Sequence, residues 1–167
     1  DTLVGGAGDD FLDGGDGLSD YVYYSSDTTG VTLKLSAKTP QNTGMSGVDT
    51  VINVENASGG SARDRLTGDA NKNTLLGMGG NDVLSGGGGD DALSGVDGGD
   101  TLNGGGGDDM IIGGIGRDIA NGGKGADTFF YQSSVDSLAG AGRDLIKDYD
   151  AASGDKIFLQ QVDAVEG

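Results

Sequence analysis

Cysteine, histidine and tryptophan are absent from these 167 residues, and proline occurs once. Without cysteine the chain has no disulfide, no thiolate metal site and no thiol nucleophile. Without histidine it has no His-Glu-x-x-His zinc site and no Ser-His-Asp triad. Aromatic residues make up 5% and apolar residues 34%, which is poor material for a thick globular core. Only 10 basic residues stand against 27 acidic ones, a formal charge of −17 that argues against nucleic acid or an anionic membrane as a direct partner. No stretch approaches the roughly 18 apolar residues of a membrane span. Composition alone would suit a disordered, glycine-rich acidic linker.

Glycine is what the chain has in plenty, 36 of 167 residues, and its placement is regular. Between residues 59 and 130 a nine-residue pattern recurs eight times without a gap, opening at Gly59, Gly68, Gly77, Gly86, Gly95, Gly104, Gly113 and Gly122. Five residues on stands an acid or amide: Asp64, Asn73, Asp82, Asp91, Asp100, Asp109, Asp118 and Asp127. Two further on stands an apolar residue: Leu66, Leu75, Leu84, Leu93, Leu102, Ile111, Ala120 and Phe129. A fixed short period is the mark of stacked units, each too small to bury its own apolar face. The aliphatic residue at every ninth position overturns the disordered reading.

Gly86-Gly87-Gly88-Gly89-Asp90-Asp91-Ala92-Leu93-Ser94 and Gly104-Gly105-Gly106-Gly107-Asp108-Asp109-Met110-Ile111-Ile112 resemble the nonapeptide G-G-x-G-x-D-x-U-x of RTX (repeats-in-toxin, haemolysin-type) proteins, itself a standard case of a short-period calcium-binding repeat. The resemblance implies an all-β fold, a right-handed parallel β-roll loaded with Ca²⁺. Each aliphatic and its neighbours predict about three extended residues per unit, and the other six must turn. Glycines at the first, second and fourth places admit φ > 0 and let carbonyls aim into the turn. The sixth-place Asp adds a carboxylate, and Ca²⁺ asks for six to eight oxygens, more than one turn supplies. Two units then make one coil of eighteen residues, with units n and n+2 stacked about 4.8 Å apart and the ion between their turns.

In the RTX family the metal takes carbonyls two and four plus the Asp of one unit, and carbonyls one and three plus the Asp of the unit two further on. Carried over, this pairs Asp82 with Asp100, Asp91 with Asp109, Asp100 with Asp118 and Asp109 with Asp127. The implied carbonyl donors are those of Gly77, Met78, Gly79 and Gly80; Gly87 and Gly89; Gly95, Val96, Asp97 and Gly98; and Gly104, Gly105, Gly106 and Gly107. Further along they are Gly113, Gly114, Ile115 and Gly116, then Gly122 and Lys124. Asp64 over Asp82 is a further pair, weakened by Ala62 and Arg63, while Asn73 replaces a carboxylate and Asp69 and Asn71 replace turn glycines. About four to seven ions are expected.

At the front, Asp1-Thr2-Leu3-Val4 reads as the end of a broken unit, as if the chain were cut from a longer protein, and Gly5 to Asp13 as a complete one. Residues 1–24 are expected as a short first roll with Asp10 and Asp20 as metal ligands, Asp1 stacked over Asp20, and Tyr21-Val22-Tyr23-Tyr24 as the strand that ends it. Residues 25–58 are expected as a strand-loop-strand insertion. Gly30 to Leu35 and Val48 to Val54 alternate apolar with polar, and a mobile loop holding Pro40 lies between them. Asn56-Ala57-Ser58 matches a glycosylation acceptor, a weak motif by its shortness. The main roll follows over 59–130. Residues 131–167 resemble the C-terminal cap of serralysin-type secreted proteins, truncated, through Asp144-Leu145-Ile146-Lys147-Asp148-Tyr149 and Gly154-Asp155-Lys156-Ile157-Phe158-Leu159. That resemblance implies that Asp136 and Asp144 complete the last site facing the Asp118 turn, with Asp148 and Asp150 solvated.

One or two aliphatic side chains per unit cannot offset the ordering of nine residues rich in glycine, so the metal-free chain is expected to be unfolded. The RTX resemblance implies a module that threads a type I secretion apparatus unfolded and folds on calcium outside a Gram-negative cell. A second expectation is a structural segment of an adhesin, surface layer or biofilm matrix, with calcium-dependent self-association or contact to surface polysaccharide. A third is the non-catalytic tail of a secreted protease, lipase or epimerase. Adjacent acids such as Asp90 and Asp91 suit a metal turn better than glycosidase chemistry.

Overall fold

The computed structural model describes residues 1–132 and 143–160. Its frame is two facing parallel sheets, with successive strands crossing from one to the other. The first sheet holds β1 (Thr2–Leu3), β3 (Tyr21–Tyr23), β7 (Asn56–Ser58), β9 (Thr74–Gly79), β11 (Ala92–Asp97), β13 (Met110–Ile115), β15 (Thr128–Tyr131) and β17 (Lys156–Leu159), side by side in that order. The second runs from β4 (Thr32–Lys34) through β8 (Arg65–Thr67), β10 (Val83–Gly88), β12 (Thr101–Gly106) and β14 (Ile119–Lys124) to β16 (Leu145–Ile146). A third, small sheet pairs β2 (Phe11–Asp13) with β6 (Val48–Ile52), and β6 with the antiparallel β5 (Gln41–Asn42). This is a parallel β-roll. Among the described residues no helix is long and apolar enough to cross a membrane.

Register follows the sequence period. Leu75 pairs with Leu93 and Leu93 with Ile111 in the first sheet, and Leu66 with Leu84 and Leu84 with Leu102 in the second. These residues form two facing columns, each at most 2% exposed, so the core is one side chain deep from each sheet. Phe129 and, in the second sheet, Ile146 over Ala120 carry the columns to the C-terminal end. There the rings of Phe130 and Phe158 stack with centroids 4.5 Å apart.

The strands are longer than expected. β10 runs through the first three places of the next unit, pairing Val83 to Ser85 with Thr101 to Asn103, then Gly87 and Gly88 with Gly105 and Gly106. Pairing skips the first-place glycine, where the chain bends, and the tight turn shrinks to places four to six. Stacking explains this: residues at positive φ still pair when the neighbour eighteen residues away has the same conformation.

The front is built differently from the expectation. β3 continues the first sheet, pairing β1 on one side and β7 on the other. The two strands expected within 25–58 form, but they extend the stack: β4 begins the second sheet against β8, β6 lies on β2, and β7 bridges β3 and β9. The intervening loop is anchored, with Thr43 and Ser46 buried beside a 3-10 turn at Gly44–Ser46. Asn56-Ala57-Ser58 is buried in β7, and Asn56 donates to the Asp20 carbonyl at 3.1 Å and accepts from Thr74 N–H at 2.8 Å. A buried amide in use on both atoms is no glycan acceptor.

Second-place residues sit at positive φ: Gly87 at 112°, Gly105 at 113°, but also Met78 at 79° and Val96 at 81°. A β-branched residue is strained there by about 1–2 kcal/mol. Val96→Gly is therefore expected to hold or raise the melting temperature of the calcium-loaded protein, the relief of strain outweighing the added backbone entropy of the unfolded chain. A thermal melt checks this.

Candidate metal centre

From Asp82 onward the sixth-place carboxylates use their two oxygens differently. Oδ1 accepts the backbone N–H of the sixth-place residue one coil before it. Asp64 donates to Asp82, Asp82 to Asp100 and Asp100 to Asp118, each at 2.8 Å. On the other side of the roll Asn73 donates to Asp91 and Asp91 to Asp109 at 2.8 Å, and Asp109 to Asp127 at 3.0 Å. These charge-assisted bonds run as two lines along the roll and fix every carboxylate in the same pose.

Oδ2 points into the turn. In Asp82, Asp91, Asp100, Asp109 and Asp127 it is buried with no hydrogen-bond donor, and the same holds for Asp10 and Asp20 near the front. A buried carboxylate oxygen left without a partner is costly, and that cost at five positions, two on one side of the roll and three on the other, calls for a cation. The first-place glycine owes its identity to this oxygen. A Cβ on Gly104 would overlap Asp109 Oδ2 and lie 2.6 Å from the Gly122 carbonyl oxygen; on Gly95 it would overlap Asp100 Oδ2 and lie 2.5 Å from the Gly113 carbonyl. In the repeats from Gly77 to Gly125 positive φ is found at places two and four but not at place one, so the expectation of conformational need at the first place is there corrected to one of space. A carboxylate oxygen and a carbonyl oxygen from the next coil converge there, which fits a hard, oxygen-seeking cation.

Electrostatics agree. Burial pushes the Asp82 carboxyl up to about 7, opposed by the Asp64 N–H and helped by the charges of Asp100 and Asp64. Burial likewise raises Asp91 to about 7 and Asp109 to about 6, with Asp109 and Asp127 respectively adding repulsion. Asp64, Asp100 and Asp127 are raised for the same first reason. Without metal the folded roll therefore holds protons that the unfolded chain, with ordinary Asp values near 3.9, has released. Metal-free stability should rise as pH falls from about 7 towards about 4 and be lost as pH rises through that window. Calcium competes with those protons, so its apparent affinity should fall over the same acid range. Circular dichroism of chelated protein should show more β-structure at about pH 5 than at about pH 8.

The family model described as RTX calcium-binding nonapeptide repeat (4 copies) matches residues 1–18, 58–93 and 94–129, together more than half of the chain. The chain belongs to the RTX family. Among curated proteins none matches it. As an RTX chain it is a calcium-binding β-roll, and calcium supplies two positive charges that the stacked carboxylates can share. Among the described residues no group of three or more acidic side chains gathers at one point, as suits RTX turns in which backbone carbonyls are the other donors.

The expected RTX ligands fall in distinct settings. The third-place carbonyls of Asp97, Ile115 and Lys124 accept N–H groups of Gly80, Gly98 and Gly107 at 2.9–3.0 Å, leaving each one lone pair for a metal. Asp64 uses both oxygens within the protein, Oδ1 for Val31 N–H at 2.7 Å and Oδ2 for Gly60 N–H at 2.6 Å. Asp20 Oδ1 accepts from the Asp1 nitrogen, so Asp1 does stack on Asp20. Asp144 accepts Asp118 N–H at 2.9 Å and so takes the next sixth-place position in the cap. Asp136 lies outside the described residues.

Three acids in the same role were not expected. Asp155 accepts Asp127 N–H at 2.9 Å, Asp49 accepts Asp10 N–H at 2.9 Å, and Glu55 accepts Asp20 N–H at 2.9 Å. Asp49-Thr50-Val51 and Asp155-Lys156-Ile157 carry the same acid-x-aliphatic signature as the repeats; Asp49 also has Gly44 and Gly47 at the first and fourth places, whereas Asp155 has none of the first-, second- and fourth-place glycines. Nor are Asp148 and Asp150 merely solvated. Asp148 accepts from Gly122 and Gly123 N–H at 2.9 and 2.7 Å, and Asp150 from Ala152 N–H and the Ser153 hydroxyl at 2.9 and 2.8 Å. The Ser153 bond holds the Asp150 carboxyl below the usual range.

Proposed function

We propose that this RTX β-roll is a calcium-operated folding module of a larger secreted bacterial protein. It crosses a type I secretion apparatus unfolded and takes its shape outside a Gram-negative cell, with any catalysis residing elsewhere in the protein. The buried Oδ2 atoms of Asp82, Asp91, Asp100, Asp109 and Asp127, which have no protein donor, carry this reading. With so thin a core, a cavity of bare carboxylates shifts the balance towards the unfolded chain, and an ion bound only to the folded form shifts it back. The gain is RT ln(1 + [Ca]/Kd), about 1.4 kcal/mol per site at tenfold excess. Kd values of about 10⁻⁴ to 10⁻³ M, usual for extracellular modules, leave the sites empty in the cytosol and filled outside. The proposed ligands are the sixth-place aspartates from Asp82 to Asp127, completed by Asp144, together with the first- to fourth-place carbonyls around them.

Far-ultraviolet circular dichroism tests it. Addition of millimolar calcium to chelated protein at neutral pH should give a steep gain in β-structure, and magnesium should not replace it, because Mg²⁺ demands a tighter octahedral shell. A spectrum unchanged between chelator and calcium would end the proposal.

A further inference from the structure

One coil of the roll meets the same electrostatic demand without an ion. Asp49 stands in the stack over Asp10 as the repeat aspartates stand over one another, yet its Oδ2 accepts the Thr43 hydroxyl at 2.8 Å and the Tyr24 hydroxyl at 3.1 Å. Asp27, buried nearby, accepts the Ser46 hydroxyl at 2.8 Å. Asp64 is satisfied by Val31 and Gly60 N–H, as described. Asn73, which closes this region, accepts Asp69 N–H at 2.8 Å and donates to the Glu55 carbonyl at 2.7 Å. In every one of these positions a protein N–H or O–H donates to the buried side-chain oxygen, whereas the Oδ2 atoms of Asp82, Asp91, Asp100, Asp109 and Asp127 have no donor.

A second, independent difference lies in the core. Among the described residues, 24–67 bury eight apolar side chains in 44 residues that include five glycines, whereas 68–131 bury seven in 64 residues that include 21 glycines. The front coil therefore gains more from apolar burial and loses less chain entropy per residue on folding. Tyr24, 2% exposed, fills the centre; burial and then the Asp49 carboxylate push its hydroxyl far above the ordinary tyrosine range, so it stays a donor.

We infer that residues 24–67 form a metal-independent coil, in which hydroxyl and amide donors take the place of the ion, and that after export this coil folds ahead of the repeats and is the template on which they stack when calcium binds. β7 and β8 present their free edges to β9 and β10, so the first metal-dependent strands add to a preformed sheet and avoid the cost of nucleating one. The inference rests on the calcium-dependent reading of the repeats.

Hydrogen exchange read by mass spectrometry on the full chain tests it. In excess chelator, amides of 31–35, 48–58 and 64–67 should exchange at least about tenfold more slowly than those of 83–131, and both sets should be protected in millimolar calcium. Tyr24→Phe combined with Thr43→Val removes both hydroxyls from Asp49 and should speed front exchange in chelator by about tenfold or more; an unchanged rate overturns the role of the hydroxyls. Front amides as unprotected in chelator as the repeats, with full recovery in calcium, overturn the template while leaving the calcium reading in place. Uniform protection in chelator overturns both.

Discussion

Asparagine in place of Asp100 should leave the hydrogen-bonded line of the roll intact and break its calcium response. The amide oxygen can still accept Asp82 N–H, now met at 2.8 Å by Oδ1, so the pose of the side chain survives. What changes is Oδ2, a buried atom without a donor, which becomes a neutral NH₂ group aimed into the metal seam. Asp100 serves two neighbouring proposed sites, one with Asp82 and one with Asp118, so both should weaken. The calcium midpoint should move up by about tenfold or more, equivalent to about 1.4 kcal/mol or more of lost linkage. Asn73 shows how the roll can accept an amide: its NH₂ donates to the Glu55 carbonyl. A midpoint unchanged in the Asp100→Asn protein would remove this carboxylate from the metal seam.

A single methyl group should do as much damage. Alanine at Gly104 would drive Cβ into Asp109 Oδ2 and to 2.6 Å from the Gly122 carbonyl, whereas alanine at Gly106, two residues along the same turn, meets nothing within 4 Å. Neither glycine has positive φ, so the comparison isolates space from backbone conformation. Gly104→Ala should cost about 3 kcal/mol or more, at the upper end for forced overpacking because the obstacles are backbone and a tethered carboxylate. Gly106→Ala should be neutral or slightly stabilising through the unfolded chain. Calcium-dependent folding followed by circular dichroism separates them, and equal behaviour of the two variants would contradict the space argument.

The nine-residue aliphatic period made the roll legible, because a residue that must be buried every ninth position permits one stacking and fixes its register. The acid-glycine pattern likewise showed which side chains line the seam. Less visible was why the first glycine is needed, since crowding by Asp Oδ2 is a property of the folded turn that looks, in a sequence, the same as a need for positive φ. The front was harder still. Between Tyr21 and its partner Asn56, and between Thr32 and its partner Arg65, spacing departs from eighteen, so Asp49 and Glu55 carry no periodic signal although they occupy stacked positions. Asp155 was hidden for the same reason: Ala151, Ala152 and Ser153 stand where the repeats have glycines.

Isothermal titration of the chelated full chain with calcium at neutral pH tests the central claim most directly. About four to seven ions per chain should bind with affinities in the range of extracellular modules, over the same calcium range in which β-structure is gained. A chain that takes up no calcium, or only a single ion, would contradict it.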